Sequence, residues 1–261
     1  MLKINNLTKR FGGLAAVNNV SIEFEANKIN AIIGPNGAGK STFFNLVAGA
    51  MAPTEGSIEY QGMDITGMAC DRIARLGIAR TFQTTSLFDE STVLDNLIVG
   101  HRLRTQSRLW DVIINSKRLR DEEKKCRSRA QEVLDFVGLS HIGHRITADI
   151  SQEEKKRVAF ALALATDPEL VLLDEPAGGI NPEETENLAA LIRKMVEHGV
   201  TVCLIEHKMD MIMSLADKIM VLDHGEKIAE GRPQEVATNA KVIEVYLGSE
   251  AEETAAAAHR D

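Results

Sequence analysis

The stretch Gly34-Pro35-Asn36-Gly37-Ala38-Gly39-Lys40-Ser41-Thr42 matches the pattern G-x-x-x-x-G-K-[ST] along its whole length. It constrains the fold because the pattern works only between a strand and a helix. Both are present. Ile29-Asn30-Ala31-Ile32-Ile33 is short, apolar and β-branched, and reads as a buried strand. Phe43-Phe44-Asn45-Leu46-Val47-Ala48-Gly49 reads as a helix with a glycine near its end. Glycines let backbone N–H groups converge on phosphate oxygens, and the helix N-terminus adds a positive dipole end. Lys40 is placed to reach the β- and γ-phosphates of a nucleoside triphosphate, and the Ser41 hydroxyl to bind Mg²⁺. Thr42 adds a further hydrogen bond to the phosphate chain.

With 261 residues the chain is long enough for one large domain or two small ones. It is 44% apolar and 26% charged, the balance of an ordinary soluble globular protein. A net charge of −8 argues against a nucleic-acid partner. Cys70, Cys126 and Cys203 are isolated, so neither a zinc site nor a disulfide framework is indicated, and a reducing compartment follows. The first residues, Met1-Leu2-Lys3-Ile4-Asn5-Asn6, lack the apolar core of a signal peptide. No apolar run is long enough to span a bilayer. Work at a membrane would need another chain to hold this one there.

Along the chain, Leu2–Ile4 and Val20–Phe24 read as strands around a turn at Phe11-Gly12-Gly13. Residues 54–62 read as turn, strand, turn; Ala69–Leu76 as a short helix; Gly77–Phe82 as a strand. Together they predict an antiparallel β layer beside the sheet that carries the glycine loop. From Thr92 to about Val137 the pattern is helical, with Val93, Leu94, Leu97 and Ile98 at helical spacing. The charge-dense run Arg118–Arg129 reads as a solvated helix face, and Trp110 as a packing residue. Further on come a helix over Lys155–Thr166, a buried strand Leu170–Asp174 and a capped helix from Asn181-Pro182 to about His198. A buried strand Thr201–Ile205, a hairpin of Lys218–Leu222 and Lys227–Ala229, and a helix over Pro233–Leu247 close the fold. The expected class is α/β: a P-loop NTPase core with an antiparallel β subdomain and an inserted α-helical subdomain. Residues 1–250 form one domain, the insert spans about 89–152, and 251–261 form a flexible tail.

Chemistry concentrates at strand ends. Apolar Leu170–Leu173 runs into Asp174-Glu175-Pro176, which places two acids at the carboxyl edge of the sheet, where α/β proteins bind ligands. The first acid supports Mg²⁺. The second orients and deprotonates the attacking water. Gln83 follows the strand ending at Phe82 and is placed to ligate Mg²⁺ and sense the γ-phosphate; His207 follows the strand ending at Ile205 in the same way.

The order of P-loop, Gln83, helical segment, Asp174-Glu175-Pro176 and His207 resembles an ATP-binding cassette (ABC) ATPase, the motor subunit of a membrane transporter. The resemblance covers nearly the whole chain. Phe11-Gly12-Gly13-Leu14, Ile78-Ala79-Arg80-Thr81-Phe82-Gln83, Ala177-Gly178-Gly179-Ile180-Asn181-Pro182, Ile205-Glu206-His207 and the stretch Ala216–Gly225 resemble the branched-chain amino acid importer subgroup. The resemblance implies that Phe11 stacks on adenine, with a plain core phenylalanine as the other reading. It implies that Gly34 to Thr42 hold the phosphates of ATP, that Ser41, Gln83 and Asp174 support Mg²⁺, that Gln83 links the metal site to the transmembrane subunit, that Glu175 polarises water, and that His207 contacts the γ-phosphate. It implies that Ala177 to Asn181 face a second ATPase subunit, with two ATP bound between head-to-tail cassettes. The expected partners are that second ATPase, transmembrane permease subunits and, indirectly, an external solute-binding protein. The expected location is the cytoplasmic face of the inner (plasma) membrane, peripherally bound. Other cargoes (urea, short amides, a lipid) and a weakly hydrolysing, ATP-gated dimerisation module are the alternatives.

One stretch departs from the family. Where the signature reads roughly L-S-G-G-Q, this chain has Ile150-Ser151-Gln152-Glu153-Glu154. Ser151 survives, both glycines are replaced, and Glu154 stands for the usual glutamine. The family's signature points at ATP held on the partner, and glycines permit that approach. Gln152 and Glu153 add bulk, and the acids add negative charge; two like charges at about 4 Å cost from ~1 kcal/mol in bulk water to ~4 kcal/mol near a protein surface. The expectation is a heterodimer with one competent and one degenerate site; the alternatives are that Ser151 and the helix dipole suffice and both sites work, or that the protein is impaired.

Overall fold

The computed structural model describes residues 1–81, 87–102, 111 and 116–246. Gln83, Phe82, Trp110 and the tail 251–261 lie outside the described residues. Two compact units divide the chain: residues 1–73 with 172 onward, and residues 74–171.

The first unit holds two sheets. β1 (Leu2–Phe11) and β2 (Leu14–Phe24) pair antiparallel, and β4 (Glu55–Tyr60) and β5 (Met63–Asp64) extend the sheet in the order β2-β1-β4-β5. The expected antiparallel layer is therefore present, with strands longer than the apolar clusters suggested. Leu2, Ile4 and Leu7 of β1 and Val17, Val20 and Phe24 of β2 are buried on one side, the alternation of a sheet with one covered face. Phe24 meets Phe43 edge to face, with ring centroids 6.5 Å apart.

The second sheet carries the glycine loop. β3 (Ile29–Ile33) lies between β8 (Thr201–Ile205) and β9 (Lys218–Asp223), parallel to both. β7 (Leu170–Asp174) flanks β8, and β10 (Glu226–Gly231) closes the other edge. Every residue of β3, β7 and β8 is buried, as parallel strands covered on both faces require. The β9–β10 turn is His224-Gly225, both at positive φ, the geometry of a two-residue hairpin. α1 (Lys40–Val47), α6 (Pro182–Glu197) and α7 (Met209–Leu215) follow β3, β7 and β8. α7 has no counterpart in the sequence reading. The expected single helix over Pro233–Leu247 breaks: α8 spans Pro233–Ala237, and a further helical stretch covers 240–246 after Thr238-Asn239.

The second unit contains α2's last turn (α2 is Cys70–Arg75), β6 (Ile78–Arg80), α3 (Val93–His101), α4 (Lys117–Phe136) and α5 (Gln152–Ala165). Val93, Leu94 and Leu97 of α3, Ala130, Val133 and Leu134 of α4, and Val158 and Ala161 of α5 form its buried apolar set. Buried Asn96 ties its segments together: its amide donates to the Phe88 and Thr92 carbonyls and the Thr147 hydroxyl, and its oxygen accepts from the Phe88 N–H. The charged run on α4 is mostly exposed, as a solvated face should be. α5 starts at Gln152 rather than Lys155, so the expected start is corrected by one turn. Ser151 is a strong N-cap, and its hydroxyl accepts from the Glu154 N–H at 3.1 Å.

Candidate functional site

The glycine loop begins where β3 ends. Gly34 has φ 152°, and a Cβ there would lie 2.0 Å from the Leu222 carbonyl oxygen on β9. Gly39 has φ 98°, and its Cβ would lie 2.2 Å from the Ala16 carbonyl oxygen on β2. Backbone packing leaves no room for a side chain at either position. The hairpin turn braces the loop from outside, where the Gly225 N–H donates to the Ala38 carbonyl at 3.0 Å. Gly39 then caps α1 without any side-chain acceptor, and the first turn of α1 holds no acid. Its N–H groups are left for an anion from outside the helix.

Lys40 is only 6% exposed, and its Nζ donates to the carbonyls of Gly34 at 2.8 Å and Pro35 at 2.9 Å. Burial pushes its pKa below the ordinary lysine value, while the charges of Glu175 and Asp174 pull it back up. The ammonium is therefore within electrostatic reach of Asp174, the last residue of β7, and of Glu175 just after it. Asp174 is buried, the last residue of a strand with no exposed position. Glu175 takes the left-handed conformation, φ 49°, which is uncommon for a residue with a side chain. Its N–H donates to the Ile205 carbonyl at 2.9 Å, fixing the turn against the end of β8. Its Oε1 lies 3.0 Å from His207 Nε2. Strand ends 32 residues apart thus place an acid and an imidazole in hydrogen-bond contact, each partly open to solvent.

Phe11 ends β1 and is 50% exposed, so it is not a core residue. The Lys9 ammonium sits 5.4 Å from its ring centroid. Its hairpin lies beside the glycine loop, because Ala15 and Ala16, just after its partner Leu14, approach Gly225 and Gly39. Loop residues 177–181 lead into α6, capped by Asn181, whose side chain accepts from the Glu184 N–H at 2.8 Å. The sequence reading assigned no role to Glu206 or Lys208. Glu206 is 3% exposed and accepts hydrogen bonds from three backbone N–H groups. An acid directly after the apolar run Val202–Ile205 was the available signal.

The altered signature has its own geometry. Ser151 and Glu154 cap each other: the Ser151 N–H donates to Glu154 Oε2 at 2.7 Å, and Arg145 lies 3.7 Å from Glu154 Oε1. Hydrogen bonding from the Ser151 backbone holds the Glu154 carboxyl below the usual carboxylate range. A fixed negative charge therefore occupies the N-terminus of α5, where α1 has none.

A glycine loop after a central parallel strand, a buried lysine within electrostatic reach of two acids and a histidine on the next strand end define a P-loop ATPase cassette. The family described as "ABC transporter" matches residues 17–178, and that described as "Branched-chain amino acid ATP-binding cassette transporter" matches residues 226–252. The high-affinity branched-chain amino acid transport ATP-binding protein BraF of Pseudomonas aeruginosa is 39% identical over 249 residues, 95% of this chain and 98% of that protein. LivG of Escherichia coli K12, named for the same transport, is 38% identical over 95% of this chain and 98% of LivG. Among solved structures, the ADP conformation of MJ1267, an ATP-binding cassette of an ABC transporter, superposes with a TM-score of 0.83 at 33% identity, covering 95% of this chain and 98% of that one. A dimeric post-hydrolysis cassette, MJ0796 bound to ADP and Pi, gives 0.74 at 26% identity, covering 89% and 99%. The chain belongs to the ABC transporter ATPase family.

Proposed function

We propose that this chain is the ATP-hydrolysing subunit of a membrane importer for branched-chain amino acids. The carrying observation is the convergence of Lys40, Asp174, Glu175 and His207 beside the open N-terminus of α1. The cargo rests on the relatives' names and on the match at 226–252.

In this reading Gly34, Pro35, Asn36, Gly37, Ala38, Gly39 and Thr42 cradle the phosphates, and Lys40 exchanges its two carbonyl contacts for phosphate oxygens. Phe11 offers a half-exposed ring to adenine, with the Lys9 ammonium near it. Glu175 accepts a proton from the attacking water, and His207 holds that carboxylate and touches the γ-phosphate. The donor set at Ser41 and Asp174, a hydroxyl and a carboxylate, suits a hard cation such as Mg²⁺. They would hold it together with Gln83, and it would neutralise charge on the β- and γ-oxygens.

Residues 177–181 face a second ATPase subunit, and the pair is seated on permease subunits at the cytoplasmic face of the membrane. No described helix is long and apolar enough to cross a bilayer, so that seat comes from partner chains. Ser151, Gln152 and Glu153 face ATP on the partner. The fixed Glu154 charge disfavours a γ-phosphate there, which supports a mixed pair: this chain's own catalytic set is complete, and the partner supplies a normal signature. The same charge favours a second reading for the isolated chain, an ATP-gated dimerisation module that hydrolyses weakly.

The test is ATP-driven uptake by vesicles carrying the complex isolated through this chain. Leucine, isoleucine and valine are the expected cargo, with uptake lost in Glu175→Gln. Uptake of urea, an amide or a lipid in their place would overturn the cargo assignment.

A further inference from the structure

Glu206 and Lys208 flank His207, and both reach back to the loop that follows Glu175. Glu206 Oε1 accepts from the Ala177 N–H at 2.5 Å, and Oε2 accepts from the N–H groups of His207 at 2.9 Å and Lys208 at 3.4 Å. The carboxylate thus bridges two loops, and both Glu206 and Ala177 are buried. The Lys208 ammonium donates to the Ile180 carbonyl at 3.0 Å and to the Thr185 hydroxyl at 2.9 Å. Thr185 in turn donates to the Asn181 carbonyl at 2.8 Å. With the Glu175 N–H on Ile205, residues 175–181 are fastened to residues 205–208 near their start, middle and end.

We infer that Glu206 and Lys208 are positioning residues for ATP hydrolysis, holding the loop 177–181 and the His207 segment as one piece so that Glu175 and His207 stay in register. The inference rests on the proposed roles of Glu175 and His207. Neither flanking side chain needs to touch nucleotide. A carboxylate is the group that can accept three N–H bonds through two oxygens. The amide of a glutamine turns a donor toward one set of those N–H groups, leaving buried donors facing each other. A long cationic side chain is needed at 208 because its two acceptors, the Ile180 carbonyl and the Thr185 hydroxyl, lie on the far loop and in the first turn of α6. A displacement of 177–181 by a partner subunit would then be carried to His207 by hydrogen bonds rather than by loose packing.

The test compares Glu206→Gln, Lys208→Met and Lys208→Arg in the complex isolated through this chain, with Glu175→Gln beside them. Because Glu206 is buried, Lys208→Met is the variant that keeps the test sound if Glu206→Gln folds poorly. Lys208→Met should lower kcat about 10-fold with KM for ATP nearly unchanged, and Lys208→Arg should restore most of it. In ¹⁵N-histidine spectra the His207 ring signals should move in Lys208→Met and return in Lys208→Arg. Full kcat and unmoved His207 signals in Lys208→Met, with Glu175→Gln silent, would overturn this inference alone. A loss that tracks melting temperature and is not restored by arginine would overturn it as well. Turnover persisting in Glu175→Gln would instead sink the reading on which it rests.

Discussion

His207 Nε2 stands 3.0 Å from Glu175 Oε1, and the two residues leave the ends of two adjacent buried strands. Glu175 reaches that contact from a left-handed backbone conformation, a cost the turn accepts to aim the carboxylate. Replacing Glu175 with glutamine keeps the shape and removes the proposed base. In the complex isolated through this chain, turnover should fall by about 10²- to 10⁴-fold while ATP still binds. Phosphate release beside equilibrium ATP binding checks this; equal losses in both would point to a binding role.

Lys40 holds its ammonium on its own loop's carbonyls and, in the proposed function, gives it up to phosphate. Lys40→Met should therefore abolish the stabilisation that nucleotide confers. A ligand at about 100 times its Kd adds about 2.7 kcal/mol, or roughly 5 °C or more of melting temperature in a chain of this size. Thermal melts with and without Mg·ATP read the effect directly: the natural chain shifts and the variant does not.

Phe11 is half exposed and contributes little to the core. Phe11→Ala should weaken ATP affinity about 10-fold, the scale of one aromatic contact, and leave the melting temperature of the unliganded chain in place. Phe11→Trp should retain affinity. Affinity unchanged in Phe11→Ala would remove the ring from the adenine site.

Glu154 gives a pH signature. Its folded pKa lies below its unfolded value, so it stabilises the fold fully above the unfolded value and that contribution is lost as pH falls through the folded one. Below the usual carboxylate range of about 4, the melting-temperature difference between the natural chain and Glu154→Gln should shrink. A difference that stays constant from pH 6 to pH 3 would contradict the ionised cap.

Strand β3, the glycine loop and the acids after β7 were legible in the sequence because each follows from local pattern: a run of apolar residues, glycines at fixed offsets, charge at a strand end. Longer-range facts were not. Nothing local says that Glu175 will meet His207, since the parallel pairing that adjoins their strands is set by the whole sheet. The start of α5 was missed because Gln152-Glu153-Glu154 was read as an altered phosphate contact. Ser151 followed three residues later by Glu154 is a helix start in its own right. The brace through Glu206 and Lys208 was hidden for the same reason as the Glu175–His207 contact: its partners, Ala177, Ile180 and Thr185, lie more than 20 residues away.

In the proposed pair this chain brings a complete catalytic set and a spoiled signature. ATP turnover by the purified chain alone tests it most directly, beside a Gln152→Gly/Glu153→Gly/Glu154→Gln form and Glu175→Gln in each background. The natural chain should be silent, the Gln152→Gly/Glu153→Gly/Glu154→Gln form should turn over, and Glu175→Gln should silence it again. Robust turnover by the natural chain, abolished by Glu175→Gln, would show that the Ser151–Glu154 cap is no barrier and would contradict the asymmetric pair.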